Sequence, residues 1–471
     1  MDLSPPIAEG PISKSKILNQ KSKISASPTI AAISTPFGEG AIAILRLSGP
    51  DSIPIATRIF HSRTPVPDLP LRTQTFGRIL DGNRVLDEVL LSVHRAPASY
   101  TGEDIVEIQC HGGILVTRRI LDLLLTTGAS LAEPGEFTRR AFLNGKMDLT
   151  QAEAVMDLIR AQTDLALSAA TEQLEGRLGR HILSLRESLL SLLAHIEAHI
   201  DFPDEDIDPA TGAALLARLD SIRESLSRLL RTAAQGQILR EGLRTVIFGT
   251  PNAGKSSLLN RLLGYERAIV SPHPGTTRDT LEEVVNLRGI PVRLIDTAGL
   301  RPSADSVENA GIQRTHQVLS RAALTLQVAD ASIPPIPATD LPAPTARTLL
   351  VLNKCDLGVH PAWRETPSAI RISCKTGDGF DTLTQAIFDA AMEGSGSPDD
   401  FLIAINARHQ ACLQSAASYL EAARHCLEQS LSPEFTALEL RAALNAIGDV
   451  AGRLDSEELL GEIFSAFCIG K

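Results

Sequence analysis

The sequence lacks the features of several protein classes. Its six cysteines form no Cys-x-x-Cys pair and show no zinc-site spacing, which argues against a structural zinc and fits a reducing compartment. No run approaches the roughly eighteen uninterrupted apolar residues that a membrane-spanning helix needs, and residues 1–28 contain no signal-peptide core. We therefore expect a soluble, cytoplasmic protein with no membrane partner.

Residues 1–28 contain Ser, Pro and Lys but no Arg. This composition predicts a disordered N-terminal tail. An organelle transit peptide is the alternative, although such peptides are usually Arg-rich and amphipathic.

Length and charge set further bounds. A chain of 471 residues is too long for one ordinary core and predicts roughly two to four domains. With a net charge of -11, the average surface is not one that attracts nucleic acid, so an RNA partner would need a local basic patch. The sequence has no internal repeats.

Four segments in the middle of the chain are typical of guanine-nucleotide binding. In chain order they are Gly249-Thr-Pro-Asn-Ala-Gly-Lys-Ser256, Pro274-Gly-Thr-Thr-Arg-Asp279, Asp296-Thr-Ala-Gly299 and Asn353-Lys-Cys-Asp356. In the first, glycines let successive backbone N–H groups face the phosphates, Lys255 supplies a positive charge and Ser256 offers a hydroxyl to Mg²⁺. This motif alone indicates only a nucleotide.

The flanking residues support the assignment. An apolar, strand-like run at 244–248 precedes the first motif, and a helical pattern at 256–263 follows it. The runs at 290–295 and 348–352 end at Asp296 and Asn353, as expected for ligand binding at the carboxyl edge of a doubly wound sheet. The middle of the chain is therefore predicted to be an α/β P-loop, Ras-like GTPase domain.

Guanine specificity is assigned to Asp356, because its carboxylate can accept from both the ring N–H and the exocyclic amine of guanine. Asn353 and Lys354 would brace that pocket, and Ser373-Cys-Lys375 resembles the loop whose backbone contacts the guanine carbonyl. The predicted GTP-binding residues are Asn252, Ala253, Gly254, Lys255, Ser256, Ser257, Ser271, Pro272, His273, Pro274, Gly275, Thr276, Thr277, Asp296, Thr297, Ala298, Gly299, Asn353, Lys354, Cys355, Asp356, Ser373, Cys374 and Lys375.

Outside the GTPase segment the pattern changes from strands to helices. Residues 29–146 predict an α+β domain, with strand-like runs at 29–33, 41–45, 85–93 and 105–108 and a helix at 115–125. Thr150-Gln-Ala-Glu153 predicts a capping box that opens a helical region reaching about Ile200. The acidic turn at 201–206 is interpreted as a break between helices, with a metal site as the alternative.

Helices are predicted on both sides of the GTPase segment, at about 210–235, 401–429, 435–450 and 456–467, with an exit linker at 394–398. The simplest architecture inserts the GTPase domain into one helical domain. The predicted boundaries are 29–146 for the N-terminal domain, 147–240 and 398–471 for the helical domain, and 241–397 for the GTPase domain.

From Thr29 to Lys471 the chain resembles the MnmE (TrmE) family of tRNA modification GTPases. Motifs outside the GTPase segment carry this resemblance: Tyr100-Thr-Gly-Glu-Asp104, His111-Gly-Gly113, Pro134-Gly-Glu-Phe137, Ala141-Phe-Leu-Asn144, Ile200-Asp-Phe-Pro-Asp204 and Cys468-Ile-Gly-Lys471. The resemblance implies a GTP-hydrolysing enzyme that acts with an FAD-dependent partner of the MnmG (GidA) family. Together they would add a carboxymethylaminomethyl-type group to carbon 5 of the wobble uridine of certain tRNAs.

The resemblance also implies a folate site and a homodimer. The N-terminal domain would bind a formyl or methylene tetrahydrofolate through Arg46, Glu107 and Lys146, with Lys471 reaching in from the C-terminus, and would hold the dimer. The family suggests a role for Cys468 in the modification chemistry, with simple packing as the alternative. The loop Pro36-Phe-Gly-Glu-Gly-Ala41 departs from the family's usual Pro-Gly-x-Gly-Gly pattern.

GTP hydrolysis needs a residue to position water, yet Leu300 stands where Ras-like GTPases carry glutamine. Family position assigns this role to Glu308; the alternative is a solvated switch-loop glutamate. The resemblance assigns K⁺ to Asn252, Thr276 and the carbonyl oxygens of Ser271 and His273, in a reaction coupled to dimerisation of two GTPase domains. It assigns Mg²⁺ to Ser256 and Thr277, with Asp296 in its outer shell.

Two other functions compete with this prediction. A plain regulatory or ribosome-assembly GTPase would carry a nucleic-acid-binding appendage and would lack the Cys-x-Gly-Lys end. A folate-dependent aminomethyltransferase with a decayed nucleotide domain would have lost nucleotide motifs, whereas all four are intact here.

Overall fold

The computed structural model describes residues 27–201, 212–265, 282–296, 320, 322–335, 347–392, 403–452 and 457–471. The chain divides into two compact units. The N-terminal unit contains the residues up to Lys146 together with 458–471, and the second unit runs from Met147 to Glu457. The sequence predicts 458–471 to be part of the helical domain, whereas the structure groups them with the N-terminal unit.

The N-terminal unit is built on a seven-stranded sheet of order β3-β4-β5-β6-β2-β1-β7. Neighbouring strands are antiparallel except for the parallel pair β1 and β7. The strands are β1 (Ile30–Ile33), β2 (Ile42–Ser48), β3 (Phe60–His61), β4 (Thr75–Asp81), β5 (Arg84–His94), β6 (Ile105–His111) and β7 (Ser130–Leu131). The helices are α1 (Ser52–Ile59), α2 (Ile114–Thr126) and α3 (Glu136–Leu143). The apolar residues of α1 and α2 pack with the inward faces of β2, β5 and β6, which gives the predicted α+β class.

The C-terminal residues are tied to this unit by backbone contacts. Ile469 forms an antiparallel bridge with Pro134, and the Gly135 N–H donates to the carbonyl of Cys468. The hydroxyl of Ser34, just past β1, donates to the carbonyl of Gly470 at 3.1 Å. The last residues of the chain therefore lie beside the start of α3 and the end of β1.

The second unit contains a helical part and a nucleotide-binding sheet. Its helices before the sheet are α4 (Leu149–Arg160), α5 (Asp164–Leu174), α6 (Arg177–Asp201), α7 (Gly212–Arg231) and α8 (Ala233–Glu241), and those after it are α11 (Ala407–Glu428) and α12 (Pro433–Ala451). Helix α13 (Glu457–Ser465) begins at the last residue of this unit and otherwise belongs to the N-terminal unit. Buried residues of α6 and α7 share one core with those of α11 and α12. Because helices from both sides of the sheet build that core, the predicted insertion of the GTPase domain into a helical domain is confirmed.

The inserted sheet has six strands in the order β13-β12-β11-β8-β10-β9. All pairs are parallel except β9 with β10. Its elements are β8 (Leu243–Gly249), α9 (Lys255–Tyr265), β9 (Glu282–Leu287), β10 (Ile290–Asp296), β11 (Leu324–Asp330), β12 (Arg347–Asn353), β13 (Ile370–Arg371) and α10 (Phe380–Ala391). The parallel strands bring the ends of β8, β11 and β12 to one edge, where the nucleotide motifs lie.

The predicted capping box at Thr150 and Glu153 is wrong. The N-cap of helix α4 lies two residues earlier, at Asp148, and Gln151 completes the box. The Asp148 carboxylate accepts from Gln151 N at 2.9 Å and from the Thr150 hydroxyl at 2.6 Å, so Thr150 supports the cap but does not form it. Glu153 is thereby free to pair elsewhere in the helical core.

The predicted helical region to about Ile200 is helical in the structure and consists of three helices, α4, α5 and α6. Thr163 starts α5 by accepting the N–H of Ala166, and Gly176, in the left-handed region at φ 81°, separates α5 from α6. The helix predicted at 210–235 also divides in the structure, at Thr232 between α7 and α8. Within the described residues, no helix combines the length and apolar character needed to cross a membrane.

Candidate guanine-nucleotide site

The loop between β8 and α9 has the backbone shape that a phosphate cradle requires. Asn252 and Gly254 both lie at positive φ, 63° and 94°. A Cβ added to Gly254 would stand 2.2 Å from the Asn353 amide nitrogen, so only glycine fits where this loop meets the end of β12. The loop is thus held against the sheet edge that carries the Asn353-Lys-Cys-Asp356 motif.

Lys255 and Ser256 start α9 at the mouth of this loop. The Lys255 ammonium donates to the carbonyl oxygens of Gly249 and Thr250, at 3.1 and 2.8 Å. The positive charge therefore lies within the curl of the loop, and the neighbouring Ser256 is exposed. A phosphate at this helix start would meet an ammonium group, backbone N–H groups and an exposed hydroxyl.

Asn353 joins the phosphate loop to the loop that follows β13. It is almost completely buried; its amide nitrogen donates to the carbonyl of Ala253 at 2.9 Å, and its amide oxygen accepts the N–H of Cys374 at 3.1 Å. One side chain thus fixes the spacing between the phosphate cradle and the base-contacting loop. Burial raises the pKa of the Cys374 thiol to about 11, which keeps it neutral at physiological pH, so its contribution comes through its backbone.

Asp356 is held in place by the Ser373 hydroxyl, which donates to its Oδ1 at 2.7 Å. The same hydroxyl oxygen accepts the N–H of Thr376 at 3.2 Å. The structure therefore brings together Asp356 and Ser373, two predicted base-site residues that lie on different loops. With Oδ1 oriented by a neutral hydroxyl, the carboxylate keeps acceptor capacity for further donors.

Lys354 follows in the left-handed conformation at φ 66°. Its ammonium pairs with Oδ2 of Asp330 at 2.7 Å. Oδ1 of Asp330 accepts from Ser332, at 2.9 Å from its N–H and 2.6 Å from its hydroxyl. Burial alone would raise the pKa of Asp330, but these donors outweigh it and lower that pKa, which keeps the carboxylate charged.

Several predicted residues lie outside the described part of the chain. They are Ser271, Pro272, His273, Pro274, Gly275, Thr276, Thr277, Thr297, Ala298, Gly299 and Glu308, together with the exit linker and the first 26 residues of the predicted tail. Asp296 is described only as the last residue of β10.

In the N-terminal unit, Arg46 and Glu107 meet on adjacent strands. They are directly paired in the register of β2 and β6, and the Glu107 Oε1 accepts from the Arg46 Nε and Nη2 at 2.9 and 2.7 Å. The guanidinium carbon also lies 5.7 Å from the ring centres of Tyr100 and Phe137. Arg46 is thus oriented by one carboxylate and two aromatic rings.

The other predicted residues of the N-terminal unit are Lys146, Cys468 and Lys471. Among the described interactions, none of them contacts Arg46 or Glu107 directly. The Lys146 ammonium donates to the carbonyl of Pro97 at 3.1 Å, in the loop that also carries Tyr100. Cys468 is exposed. Its carbonyl accepts the N–H of Lys471 at 3.3 Å.

Two sets of contacts were not predicted from the sequence. Sequence patterns do not point to Asp330, although it ends a strand-like apolar run at the edge where the nucleotide motifs lie. A buried network also links Arg140 to Glu136 at 2.7 Å and to Glu103 at 3.1 Å, and so joins two of the family motifs. The only sequence signal for Asp330 is its place after an apolar run; its register opposite Asn353 comes from the structure.

Family models match most of the chain. The model described as "GTP-binding protein TrmE N-terminus" matches residues 29–146, and the "MnmE helical domain" matches residues 149–468. Relatives are similar over nearly their whole length. The protein named tRNA modification GTPase MnmE from Akkermansia muciniphila is 54% identical, covering 94% of this chain and 99% of the relative. The protein of the same name from Symbiobacterium thermophilum is 48% identical, again covering 94% of this chain and 99% of the relative.

Among solved structures, the G domain of the T. maritima FeoB iron transporter is 23% identical and covers 32% of this chain and 98% of that chain, with a TM-score of 0.22. A TM-score at this level supports no conclusion about this chain.

Proposed function

The chain belongs to the MnmE family of tRNA modification GTPases, and from this premise we propose how its GTPase activity serves that modification. GTP hydrolysis would accompany the addition of a carboxymethylaminomethyl-type group to carbon 5 of the wobble uridine of certain tRNAs. An FAD-dependent protein of the MnmG family would act with it in a heterotetramer.

The observation that carries the nucleotide part of this proposal is the connection made by Asn353. Its two hydrogen bonds, to Ala253 and to Cys374, fix the phosphate cradle relative to the base-contacting loop. Asp356 stands three residues on, oriented by Ser373, and can accept from the two neighbouring donors of guanine. Adenine does not present that donor pair, so this arrangement favours GTP over ATP.

For hydrolysis, Glu308 is proposed to position or deprotonate the attacking water. The described oxygens fit hard cations, because Ser256 is exposed beside Lys255 and Asn252 is exposed in the loop. Ser256 and Thr277 would hold Mg²⁺, with Asp296 outside them. Asn252, Ser271, His273 and Thr276 would hold K⁺, and both ions would supply positive charge beside the phosphates. We propose that this requires two GTPase domains to pair within a homodimer.

The N-terminal unit is proposed to bind a reduced folate, formyl or methylene tetrahydrofolate, through Arg46, Glu107, Lys146 and Lys471. The pairing of Arg46 with Glu107 supports this proposal, because it places a cation and a carboxylate side by side at half-buried positions, oriented before any ligand arrives. Such a pair suits a ligand with both acidic and N–H groups. Cys468 is exposed near the chain end, where a role in the modification chemistry would require access.

Nucleoside analysis tests the proposal as a whole. Mass spectrometry of total tRNA from cells lacking this chain should show loss of the modified wobble uridines, and a plasmid copy should restore them. A plain regulatory GTPase would leave these nucleosides unchanged, and that result would contradict the proposal.

A further inference from the structure

Asp330 lies at the sheet edge that carries the nucleotide motifs. It ends β11 opposite Asn353, which ends β12, in a parallel register. The backbone around it is fixed, because the Ala331 N–H donates to the carbonyl of Asn353 at 2.8 Å and the Trp363 indole N–H donates to that of Ile333 at 2.8 Å. Asp330 is therefore held on a rigid turn.

Both carboxylate oxygens of Asp330 have partners with distinct roles. Oδ1 is occupied by the N–H and hydroxyl of Ser332, which fix the direction of the carboxylate. Oδ2 faces the ammonium of Lys354 at 2.7 Å. The Asp330 side chain is only 12% exposed and that of Lys354 33%, so the pair is partly shielded from solvent.

Lys354 stands between Asn353 and Asp356, with a backbone conformation rarely adopted by residues other than glycine. Its four-carbon stem has many rotamers, and fixing such a stem only when a ligand binds reduces affinity. A partner that orients the stem beforehand removes that loss. The stem can then offer an apolar surface to the flat face of a base, while its ammonium stays charged.

We propose that Asp330 is a positioning residue for guanine-nucleotide binding, which acts by orienting Lys354 over the base. The inference rests on the guanine-nucleotide site proposed above. It adds a residue outside all four motifs, and it assigns Asp330 an effect on nucleotide affinity and none on the chemical step.

The test is the affinity of the full chain for fluorescent mant-GDP. In Asp330→Asn the amide oxygen can still accept from Ser332. The amide NH₂ group then faces the Lys354 ammonium, and because both groups are donors the hydrogen bond between the two side chains is lost. The Kd should rise about 3- to 10-fold, the range expected when one long side chain loses its prior orientation, while kcat at saturating GTP stays within about twofold. Asp330→Glu, which keeps the charge, should recover part of the affinity.

Two comparisons separate positioning from a general structural effect. If Asp330 acts through Lys354, the double variant Asp330→Asn with Lys354→Met should bind no more weakly than Lys354→Met alone. Asp389→Asn removes one exposed carboxylate from α10 of the same sheet domain and should leave the Kd unchanged. The thermal midpoint of each nucleotide-free variant reports whether folding is intact.

Specific outcomes would overturn the inference. An unchanged or lower Kd in Asp330→Asn would show that Asp330 does not assist binding or that it competes for Lys354. Additive losses in the double variant would show that Asp330 acts independently of Lys354. A failure of the unaltered chain to bind mant-GDP would instead remove the guanine-nucleotide site itself, so the two failures are distinguishable.

Discussion

In the proposed guanine-nucleotide site, the choice of base depends on Asp356, because its carboxylate has two acceptor oxygens and is oriented by Ser373. Asp356→Asn replaces one acceptor by a donor that faces a guanine N–H. Losing one or two charge-assisted hydrogen bonds should raise the Kd for mant-GDP by about 10- to 100-fold. Displacement titrations with GTP and ATP measure both affinity and selectivity. Full retention of GTP affinity, or equal competition by ATP in the unaltered chain, would refute the assignment.

Arg46 offers a second test at the scale of single residues. Its guanidinium contacts Glu107, Tyr100 and Phe137, so Arg46→Ala removes an oriented cation from the proposed folate site. Isothermal titration with a reduced folate should show binding that Arg46→Ala and Glu107→Ala each weaken by about tenfold or more.

The matched control is Arg78→Ala, which breaks the exposed pair of Arg78 and Glu88 at 3.0 Å on the same sheet. It should bind the folate normally, because that pair lies on β4 and β5. Absence of binding heat with the unaltered chain would eliminate the folate site, and equal losses in Arg46→Ala and Arg78→Ala would show a nonspecific charge effect.

Among the helices, the largely shielded carboxylate of Glu153 couples α4 to α11. Glu153 accepts from Arg408 at 2.9 and 3.0 Å, and Nε2 of His409 lies 2.6 Å from its Oε2. The Nδ1 of His409 accepts the N–H of Asn406, so in the neutral ring the proton is on Nε2, the nitrogen that faces Glu153. Full burial lowers the pKa of His409. Burial of Glu153 acts to raise the pKa of its carboxyl, but pairing with His409 and Arg408 outweighs burial and lowers that pKa to about 2.

This arrangement predicts a loss of stability in acid. Below about pH 6.5, His409 takes up a proton in the unfolded chain but not in the folded chain. The free energy of unfolding therefore decreases as the pH falls, by at most about 1.4 kcal/mol per pH unit. The Glu153 contribution is lost later, between about pH 4.5 and 2. Urea unfolding followed by circular dichroism should show a smaller change from pH 7.5 to 5.5 in His409→Gln than in the unaltered chain. Equal changes in both would contradict this account.

The same helices show where sequence patterns stop being informative. Periodicity predicts that helices exist here, and it does so correctly for α7, α11 and α12. It places the cap of α4 at Thr150 because Thr and Glu stand three apart, whereas Asp148 outcompetes Thr150 by accepting with a charged carboxylate. The partner of Glu153 lies 255 residues away, and no local pattern contains that information.

At the nucleotide site, sequence patterns predict more of the arrangement than they do among the helices. The predicted phosphate-loop and base-site residues come together because motifs that end parallel strands meet at one sheet edge, which follows from topology. The contact of Asp330 with Lys354 depends on side-chain direction and on the turn at Ser332, which spacing does not encode. Sequence patterns therefore indicate that the described motif residues meet at this edge, but they do not predict the contact of Asp330 with Lys354.

For the whole molecule, we expect GTP turnover to require potassium and pairing of two GTPase domains. Turnover should be fast in K⁺ and weak in Na⁺, and a transition-state mimic should produce GTPase-domain pairing only in K⁺. Steady-state rates and sedimentation velocity in the two salts measure this. Asn252→Ala should remove the difference between the salts, and equal rates in K⁺ and Na⁺ for the unaltered chain would contradict the proposed site.

The most direct test of the central claim links hydrolysis to modification in one measurement. Wobble-uridine nucleosides are quantified by mass spectrometry in cells whose only copy of this chain is unaltered, Glu308→Ala, or the surface control Asp389→Asn. Glu308→Ala should lower kcat about 10²- to 10⁴-fold with nearly unchanged GTP affinity. Wobble uridines should be unmodified in the cells with that variant alone. Normal modification in Glu308→Ala cells, with the purified variant confirmed as unable to hydrolyse GTP, would contradict this prediction.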